Sequence, residues 1–457
     1  MKKSLTALAI SAALVAPAFA TNGMAPVGLG QAAKGMGGAS IAYPQDTLQG
    51  GNNPAGMVHL GNRMDVGIEI FMPDRGFNVG EYGSEGGGEA AGAAGMLNEI
   101  EAYSFDGTGS GVMESWFPIP EFGYNRMIND NLSVGVSVFG NGGMNTTYGN
   151  NHPFSHLLAA VPAEEGGPCE EYLFACPDVG IDLMQLFVAP TISYKVNDKL
   201  SIGASLNLIA ARFSAEGLYM FGDQSSDMSA LTNNGNSYAY GASLRVGMQA
   251  QLSDAITVGA TYQTKANMSE FDEYAGLFPD QGTMDIPANW GVGIAIKATD
   301  KLDIAMDVMQ IMYGETNAMG NSPNSLMTGA QLGNSNGPGF GWENQTVYKL
   351  GMAYQYSDDL TLRAGLNYGE TPVNPGDLDL GFAFNTLAPG VTEKHVTLGF
   401  TKGLGDGASI TGSYIRTMSK SQDGLFMFRF PDHTALVSDG EIEMDQHAFG
   451  ISYNKKF

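Results

Sequence analysis

Few side chains in this sequence have the types and spacing that catalysis or metal binding requires. His152 and His156 are four residues apart, the spacing of two zinc ligands on one face of a helix. Pro153 lies between them, however, and the surrounding segment lacks a helical pattern. The other histidines are scattered along the chain. We therefore expect no metal site, no cofactor and no enzyme activity.

The two cysteines, Cys169 and Cys176, lie close together in the sequence. In an exported protein they would enter an oxidising compartment, where a local disulfide that closes one loop is the favoured pairing. A metal site is the alternative, but two thiols without nearby histidines supply only half of the usual ligand set.

Both ends of the chain predict export to the bacterial outer membrane. Lys2 and Lys3 precede an apolar run at 5–15, and residues 18–20 form an A-x-A cleavage site, so residues 1–20 are predicted to be a signal peptide. Residues 447–457 alternate between two faces, as a strand does, and end on Phe457. This ending resembles the one that the barrel-insertion machinery of the outer membrane recognises, which makes that machinery an expected partner.

The composition fits a membrane barrel. The chain has 457 residues, a hydrophobic fraction of 43% and a mean hydropathy of −0.08. After the signal peptide, no stretch has the roughly 18 uninterrupted apolar residues that a spanning helix needs. Strands whose lipid-facing and lumen-facing residues alternate can cross a membrane with such an average composition. A soluble secreted sandwich is the alternative.

The charge excludes one class of partner and suggests another. The formal net charge is −25, and binding to nucleic acid requires basic surface, so nucleic acid is not an expected partner. Acidic external loops would suit divalent cations that bridge to lipopolysaccharide in the surrounding membrane. Loops that are simply solvated are the alternative.

A hairpin pattern recurs along the chain. In each case an alternating run, a short polar turn and a second alternating run follow one another. The turns begin at Asn129, Asn197, Ser253, Thr299, Asp358 and Gly405. Six turns join twelve strands, and one strand before them and one after them bring the total to about fourteen. The sequence therefore predicts an all-β, 14-stranded antiparallel transmembrane barrel over residues 63–457, with long loops near 73–115, 141–183, 214–238, 266–286, 313–344, 370–392 and 418–444.

The alternation also assigns the two faces of each strand. Leu200, Ile202 and Leu206 form an apolar row that should face lipid, and the intervening small polar residues should face the lumen. The same rule places four charged residues inside the barrel, which are Arg245, Asp303, Asp307 and Arg363. The two arginines could bind a substrate carboxylate, or they could pair with acids such as Asp303 and Asp307. Unpaired arginines would favour fatty acids as substrates, and paired ones would favour neutral hydrocarbons.

Residues 21–62 do not have a strand pattern. They carry few charges and many small residues, which suits close packing inside the barrel as a hatch; a flexible tail is the alternative. The segment 28–56 closely resembles the N-terminal hatch of the FadL-type outer-membrane transporters. The residues that carry this resemblance are Gly28, Gly30, Asp46, Asn53, Pro54 and Ala55.

The resemblance implies a function and a route. Known members of this family import long-chain fatty acids and aromatic hydrocarbons, which are caught by external loops, held above the hatch and released sideways through a gap at a kink in the third strand. Gly140, Gly142 and Gly143 are the candidate kink, because glycines weaken strand pairing and permit a bulge; the start of an external loop is the alternative. We therefore expect a passive transporter of hydrophobic molecules. A polar-solute porin and a structural or adhesive barrel are the alternatives.

Apolar residues in the external loops are the candidate ligand contacts. Such clusters at a surface mark interaction sites, although loops that pack on one another to cap the barrel would look the same. The candidates are Phe154, Leu157, Leu158 and Val161 in the second loop and Leu218 and Phe221 in the third, with Arg245 and Arg363 inside the barrel.

Overall fold

A computed structural model describes residues 22–100, 103–109, 114–149, 152–155, 178–374, 378–430 and 432–457. Within these residues fourteen long strands form one antiparallel sheet that closes on itself, which confirms the predicted barrel. The strands are β1 (Arg63–Val79), β2 (Phe117–Asn129), β3 (Leu132–Thr147), β4 (Gly180–Asn197), β5 (Leu200–Glu216), β6 (Ser237–Ser253), β7 (Ile256–Gln263), β8 (Asn289–Thr299), β9 (Leu302–Ile311), β10 (Gln345–Ser357), β11 (Leu360–Gly369), β12 (Lys394–Gly405), β13 (Ala408–Arg429) and β14 (Ala435–Lys456). The barrel closes where β1 pairs with β14, from Arg63 opposite Lys456 to Val79 opposite Gly440.

The strands present apolar side chains outward and polar side chains inward, as the alternation predicted. Ile202 and Leu206 are exposed on the outer face, whereas Ser201 and Ser205 are buried inside. Exposed aromatic residues form a belt near each end of the barrel, as expected at the two membrane interfaces. These belts contain Tyr240, Tyr262, Trp290, Tyr348 and Tyr368 towards the loop end and Tyr194, Tyr354, Tyr356, Tyr453 and Phe457 towards the turn end. No helix in the described ranges is long and apolar enough to cross a membrane.

The six predicted turns are present, but one predicted loop is wrong. Residues 418–444 were expected to form an external loop, whereas β13 and β14 continue as a hairpin whose connection is only 430–434. The reason is that Phe426, Phe428 and Leu436 continue the alternation and are buried under the neighbouring loops. Likewise β3 extends to Thr147, so Gly140, Gly142 and Gly143 lie inside a strand and do not begin a loop.

Short elements occupy the external loops and the barrel interior. The helices are α1 (Gln31–Lys34), α2 (Gln49–Asn52), α3 (Gly88–Ile100), α4 (Pro279–Gly282), α5 (Asn317–Gly320) and α6 (Leu378–Leu387). One-turn or two-turn 3₁₀ helices span Pro54–His59, Tyr219–Gln224, Met228–Ala230, Asp272–Tyr274, Tyr313–Glu315 and Pro323–Thr328, and three short strands span Gly83–Glu85, Ser104–Asp106 and Asn267–Met268. The main apolar core lies under the external loops and contains Phe77, Phe154, Phe213 and Phe382.

Candidate functional site

The N-terminal segment lies inside the barrel, and wall carboxylates hold its backbone. Asp307 on β9 accepts hydrogen bonds from the backbone N–H groups of Ser40 at 2.7 Å and Ile41 at 3.0 Å. Asp303, on the same face of β9, accepts the hydroxyl of Tyr43 at 2.7 Å. Both acids predicted to face the lumen therefore bind the hatch, and neither pairs with a lumen arginine.

The wall leaves space for the tight turn at Asn53, Pro54 and Ala55. A Cβ atom at Gly247 would lie 1.9 Å from Asn53 Oδ1, and one at Gly203 would lie 2.4 Å from the Pro54 carbonyl carbon, so only glycine permits this approach. Asn53 Nδ2 donates to the carbonyl of Ile41 at 2.7 Å and to that of Met248 at 3.1 Å. The side chain thus connects two parts of the hatch to β6.

The other hatch glycines of the resemblance also make close approaches. Gly30 has a φ of +84° and faces the Asp46 carboxylate, where a Cβ atom would lie 2.3 Å from Oδ2. Gly28 packs against the backbone of Gly38, and a Cβ atom at Gly28 would lie 2.7 Å from the Gly38 Cα. These positions fold the hatch back on itself within the lumen.

Buried charges fix the hatch to β1. Lys34 Nζ lies 2.8 Å from Glu69 Oε2, and both side chains are almost fully buried. Burial lowers the pKa of Lys34, but the facing carboxylates of Glu69 and Glu121 outweigh it, so the pKa is raised above the ordinary value. Burial and the nearby Asp65 carboxylate raise the pKa of Asp46 to about 6. The hatch is therefore held by paired charges in a dry environment.

The two lumen arginines occupy different surroundings. Arg363 donates to Gln45 Oε1 at 2.8 Å and to Thr401 Oγ1 at 2.7 Å. Arg245 donates to Gln263 Oε1 at 2.7 Å and to Asn289 Oδ1 at 3.1 Å, and more weakly to the carbonyl of Asn52. Within the described ranges neither arginine forms an ion pair, so of the two possibilities the pairing with Asp303 and Asp307 is not found.

Arg245 faces a cavity between the hatch and the wall, which we call the lumen cavity. It has a volume of about 70 Å³ and is lined by hatch residues together with Arg245, Asp307, Tyr313 and Lys349. Lys349 Nζ donates to the carbonyl of Val27 at 2.9 Å. Two cationic side chains and one carboxylate thus surround a space that is otherwise mostly apolar.

A second, larger cavity opens among the external loops, and we call it the outer groove. Its volume is about 760 Å³. Its lining combines charged or polar side chains, which are Glu89, Asp223, Gln224, Arg429 and His433, with apolar ones, which include Met220, Met228, Leu326, Met327, Leu380, Phe428 and Phe430. Met-rich surfaces adapt to ligands of irregular shape.

The predicted loop contacts lie beneath the outer groove. Leu218 and Phe221 are buried and line a small apolar void of about 40 Å³. The ring of Phe221 lies 5.7 Å from that of Phe428, which lines the outer groove, so Phe221 separates the two spaces. Phe154 is fully buried and packs edge-on against Phe221. Leu157, Leu158, Val161, Cys169 and Cys176 lie outside the described residues.

The barrel wall is interrupted between β2 and β3. These strands pair from Asn129 opposite Leu132 up to Phe122 opposite Val138, where the ladder ends. Beyond this point β2 still pairs with β1 as far as Phe117, and β3 still pairs with β4 as far as Thr147. The edges Phe117–Glu121 and Phe139–Thr146 therefore have no ladder pairing with each other and border a break in the wall, beyond which the Thr147 N–H donates to the carbonyl of Gly107 at 2.8 Å.

Glycines on β3 border this break. The register of β3 against β4 shifts between Gly140 and Gly142, and Gly142 has a φ of +147°, which residues with a side chain rarely adopt. Asn141, in the bulge, reaches the lumen cavity. The break therefore lies directly beside that cavity.

Prolines on β2 explain why the ladder ends, and the sequence reading missed them. Pro118 and Pro120 lie opposite Ile70 and Ile68 in the ladder with β1, and the hydrogen bonds to β1 come from the residues between them. The two proline nitrogens therefore face β3, and because proline has no N–H group, β2 offers β3 no backbone donors at these positions. Proline within a strand indicates an edge, and this signal in 117–121 could have located the break. Above it, Arg75 on β1 donates to the carbonyl of Asn145 on β3 at 2.6 Å and to the carbonyl of Glu114 at 2.9 Å.

One serine motif of hydrolases also occurs, but its setting differs from theirs. Residues 333–337 read G-x-S-x-G. In hydrolases this motif forms a sharp turn between a strand and a helix. Here it lies in the long loop between β9 and β10, outside any long strand or helix.

Residues 178–381 match the family described as outer membrane protein transport protein (OMPP1/FadL/TodX). No curated protein matches the chain. The P. putida toluene transporter TodX has 18% identity and a TM-score of 0.62, over 94% of this chain and 99% of that one. The Ralstonia pickettii toluene transporter TbuX has 17% identity and a TM-score of 0.60, over 94% and 98%.

A Pseudomonas aeruginosa FadL homologue has 17% identity and a TM-score of 0.63, over 95% of this chain and 100% of that one. At these identities the three structures establish a shared fold, while the family match concerns the sequence itself. The family match over residues 178–381 agrees with the resemblance seen in residues 28–56, and the shared fold is that of a closed barrel of the bacterial outer membrane.

Proposed function

We propose that this protein is a passive transporter that takes up hydrophobic molecules and releases them sideways into the membrane. A ligand caught in the outer groove passes Phe221, enters the lumen cavity and leaves between β2 and β3. The observation that carries this proposal is the break in β2–β3 pairing beside Asn141. An apolar ligand that leaves through this break enters lipid without crossing water.

The substrate class that we favour is a long-chain carboxylate. Arg245 is buried in the lumen cavity and is surrounded by amide and hydroxyl oxygens, with no ion pair within the described ranges. A carboxylate would supply the charge-assisted partner that these neutral oxygens do not. A neutral aromatic hydrocarbon such as toluene, the substrate named for TodX and TbuX, is the second candidate.

A polar-solute porin is the rival function, and the hatch argues against it. A porin needs an open aqueous lumen. Here the Asp307 side chain on β9 and the Met248 backbone carbonyl on β6 hold the hatch across the lumen by accepting direct hydrogen bonds from it. An adhesive barrel would need neither the lumen cavity nor the break.

The exit is tested by restoring the missing backbone donors. The double variant Pro118→Val/Pro120→Val should allow β2 to pair with β3, close the break and abolish uptake of palmitate and toluene in a deletion strain. Because restored pairing adds hydrogen bonds, the variant should unfold at the same or a higher temperature than the wild type.

Pro190→Val is the matched control, since Pro190 lies on β4 opposite Val136, below the break. It should leave uptake unchanged. Gly142→Phe should also block uptake by filling the bulge. Normal uptake by the folded, inserted double variant would show that ligands leave by another route.

The head-group assignment is tested with Arg245→Met. Loss of a charge-assisted bond should reduce palmitate uptake about tenfold or more and leave toluene uptake unchanged. Arg363→Met is the control, because Arg363 also contacts the hatch but does not line the lumen cavity. An equal loss for both ligands would mean that Arg245 only supports the hatch.

Further parts of the proposal come from the sequence. We propose a hatch over 21–62, a barrel over 63–457 and cleavage after residue 20, and N-terminal sequencing of the mature protein would test the cleavage site. Insertion machinery that reads Phe457, and lipopolysaccharide bridged to acidic loops by divalent cations, are the proposed partners in the membrane.

A further inference from the structure

The break between β2 and β3 is closed at both ends. At its lower end the ladder between the two strands stops at Phe122 opposite Val138. At its upper end the Thr147 N–H donates to the carbonyl of Gly107 at 2.8 Å, and the Gly107 N–H donates to the carbonyl of Arg75 on β1 at 2.9 Å. Between these ends, no hydrogen bond in the described part of the chain joins β2 to β3. The break is therefore a window in the sheet and not a slit that continues into the loops.

One buried side chain, that of Arg75, spans the upper end of the break. Its Nε donates to the backbone carbonyl of Asn145 on β3 at 2.6 Å, and its Nη2 donates to the carbonyl of Glu114, just before β2, at 2.9 Å. Its Nη2 also donates to Asn145 Oδ1, and its Nη1 donates to the carbonyl of Pro73 at 3.1 Å. The guanidinium lies 5.6 Å from the centroid of Phe117, the first residue of β2. Arg75 thus joins β1, the start of β2 and β3, and we call this set of bonds the Arg75 crosslink.

The chemistry of arginine suits this position. Arg75 is 2% exposed and forms no ion pair within the described ranges. Burial of a charge without an opposite charge is unfavourable, and here the carbonyl oxygens that accept its hydrogen bonds offset that cost. The backbones of β2 and β3 form no pairs above Val138, whereas a guanidinium carries five N–H donors in a fixed fork. The side chain therefore supplies bonds at the upper end of the break where the ladder supplies none.

The β3 end of the Arg75 crosslink is itself held in the wall. Asn145 lies opposite Asp182 in the ladder between β3 and β4, and Asn145 Nδ2 donates to Asp182 Oδ1 at 3.2 Å. Asn145 therefore connects Arg75 to a part of the sheet whose backbone pairing is intact. For β2 and β3 to separate at this end, the bonds of Arg75 to Asn145 or to Glu114 must break first.

We propose that the Arg75 crosslink limits the width of the exit, and that the protein therefore selects narrow hydrophobic molecules, namely unbranched chains and single rings. Between the last ladder pair and Asn145, the residues of β3 without a partner on β2 are 139–144, a length of roughly 20 Å at about 3.3 Å per residue. Because both edges are held at both ends, they can separate only by bowing, and a longer free segment would bow further. Loss of the Arg75 bonds would extend the free segment to Thr146 and release the start of β2. The substrate selection rests on the proposed lateral exit, whereas the closure of the upper end by Arg75 does not.

The test compares the uptake of narrow and broad hydrophobic molecules by a deletion strain that expresses each variant, after subtraction of the uptake by the empty strain. Arg75→Met should raise the uptake of pyrene, a broad multi-ring hydrocarbon, severalfold and should leave the uptake of palmitate and toluene unchanged. Arg75→Lys keeps the charge but not the fork, so its pyrene uptake should lie between those of the wild type and Arg75→Met.

Arg212→Met is the matched control. Arg212 pairs with Asp182 inside the same wall, but this ion pair joins β4 to β5, whose ladder is continuous at this level. Its loss should leave the uptake of all three molecules unchanged.

A second readout is amide exchange at Thr147 in the purified full-length protein without ligand. Exchange should become about tenfold faster or more in Arg75→Met, because the Thr147–Gly107 bond then closes the upper end without the crosslink below it. Exchange in Arg212→Met should equal that of the wild type.

The outcomes separate the two parts of the proposal. Unchanged exchange at Thr147 in Arg75→Met would show that Arg75 does not hold the upper end, and faster exchange with unchanged pyrene uptake would show that it does not limit width; either result overturns the inference. If Arg75→Met fails to insert, Arg75→Lys decides the same questions through smaller changes of the same sign. If the wild type takes up neither palmitate nor toluene, the proposed function fails, while exchange at Thr147 still decides whether Arg75 closes the break.

Discussion

Asp307 should carry much of the attachment of the hatch to the wall. Its carboxylate is 3% exposed and accepts two backbone N–H groups from residues 40 and 41. A hydrogen bond to a charged group contributes about 1.5–3 kcal/mol, so Asp307→Ala should weaken this attachment by about 3–6 kcal/mol. Lys349 would also lose its nearby negative charge. Asp307→Asn keeps an acceptor oxygen and should lose about half as much.

The loss of attachment free energy can be measured as faster amide exchange at the residues that open. Since each 1.4 kcal/mol is a factor of ten, exchange at Ser40 and Ile41 in Asp307→Ala should speed up by about 10² to 10⁴. The barrel itself should stay folded, because its ladder is untouched. Asp303→Asn is the control: it keeps an acceptor oxygen, weakens one bond from the partly exposed Tyr43 and should change exchange by tenfold or less. Exchange at Ser40 that stays within twofold of the wild type in Asp307→Ala would refute the reasoning.

Three other outcomes test the hatch and the second loop. In a thermal unfolding assay, Gly247→Ala should displace Asn53 and lower the unfolding temperature, because its Cβ would lie 1.9 Å from Asn53 Oδ1. Gly92→Ala is the control and should leave the unfolding temperature unchanged, because a Cβ atom there would lie in open space. The pKa of Asp46 is about 6 against an ordinary 3.8, which means that the folded state binds this proton more tightly than the unfolded state does, so the stability of the hatch should rise as the pH falls from 7 through 6 towards 4. Asp46→Asn should abolish this pH dependence in amide-exchange measurements, and an unaltered pH dependence would assign it to another group. Thiol labelling of unreduced protein should find neither Cys169 nor Cys176, and strong labelling of both would contradict a disulfide.

The architecture could be predicted because it rests on local patterns. Period-two alternation and six polar turns determine strand number and the face of each residue, as the burial of Ser201 beside exposed Ile202 illustrates. The prediction of an external loop at 418–444 was wrong because the polar residues between Lys420 and Asp423 interrupt the strand pattern, which resumes at Leu425 within the β13–β14 hairpin. The partners of the lumen charges could not be read from the sequence at all. Ser40 and Asp307 are 267 positions apart, and only the closed barrel brings them together.

The join between β1 and β14 has a consequence for how the molecule is made. The strand that begins at Arg63 pairs on one side with the strand that ends at Lys456, so the barrel cannot close before β14 has been synthesised. The hatch precedes Arg63 and is therefore exported first, while the cylinder that will enclose it does not yet exist. Contacts between residues so distant in sequence form slowly. Until the barrel closes, the hatch must either remain unfolded or pack against an incomplete sheet. A hatch that folded only after closure would have to enter the closed barrel through one of its ends.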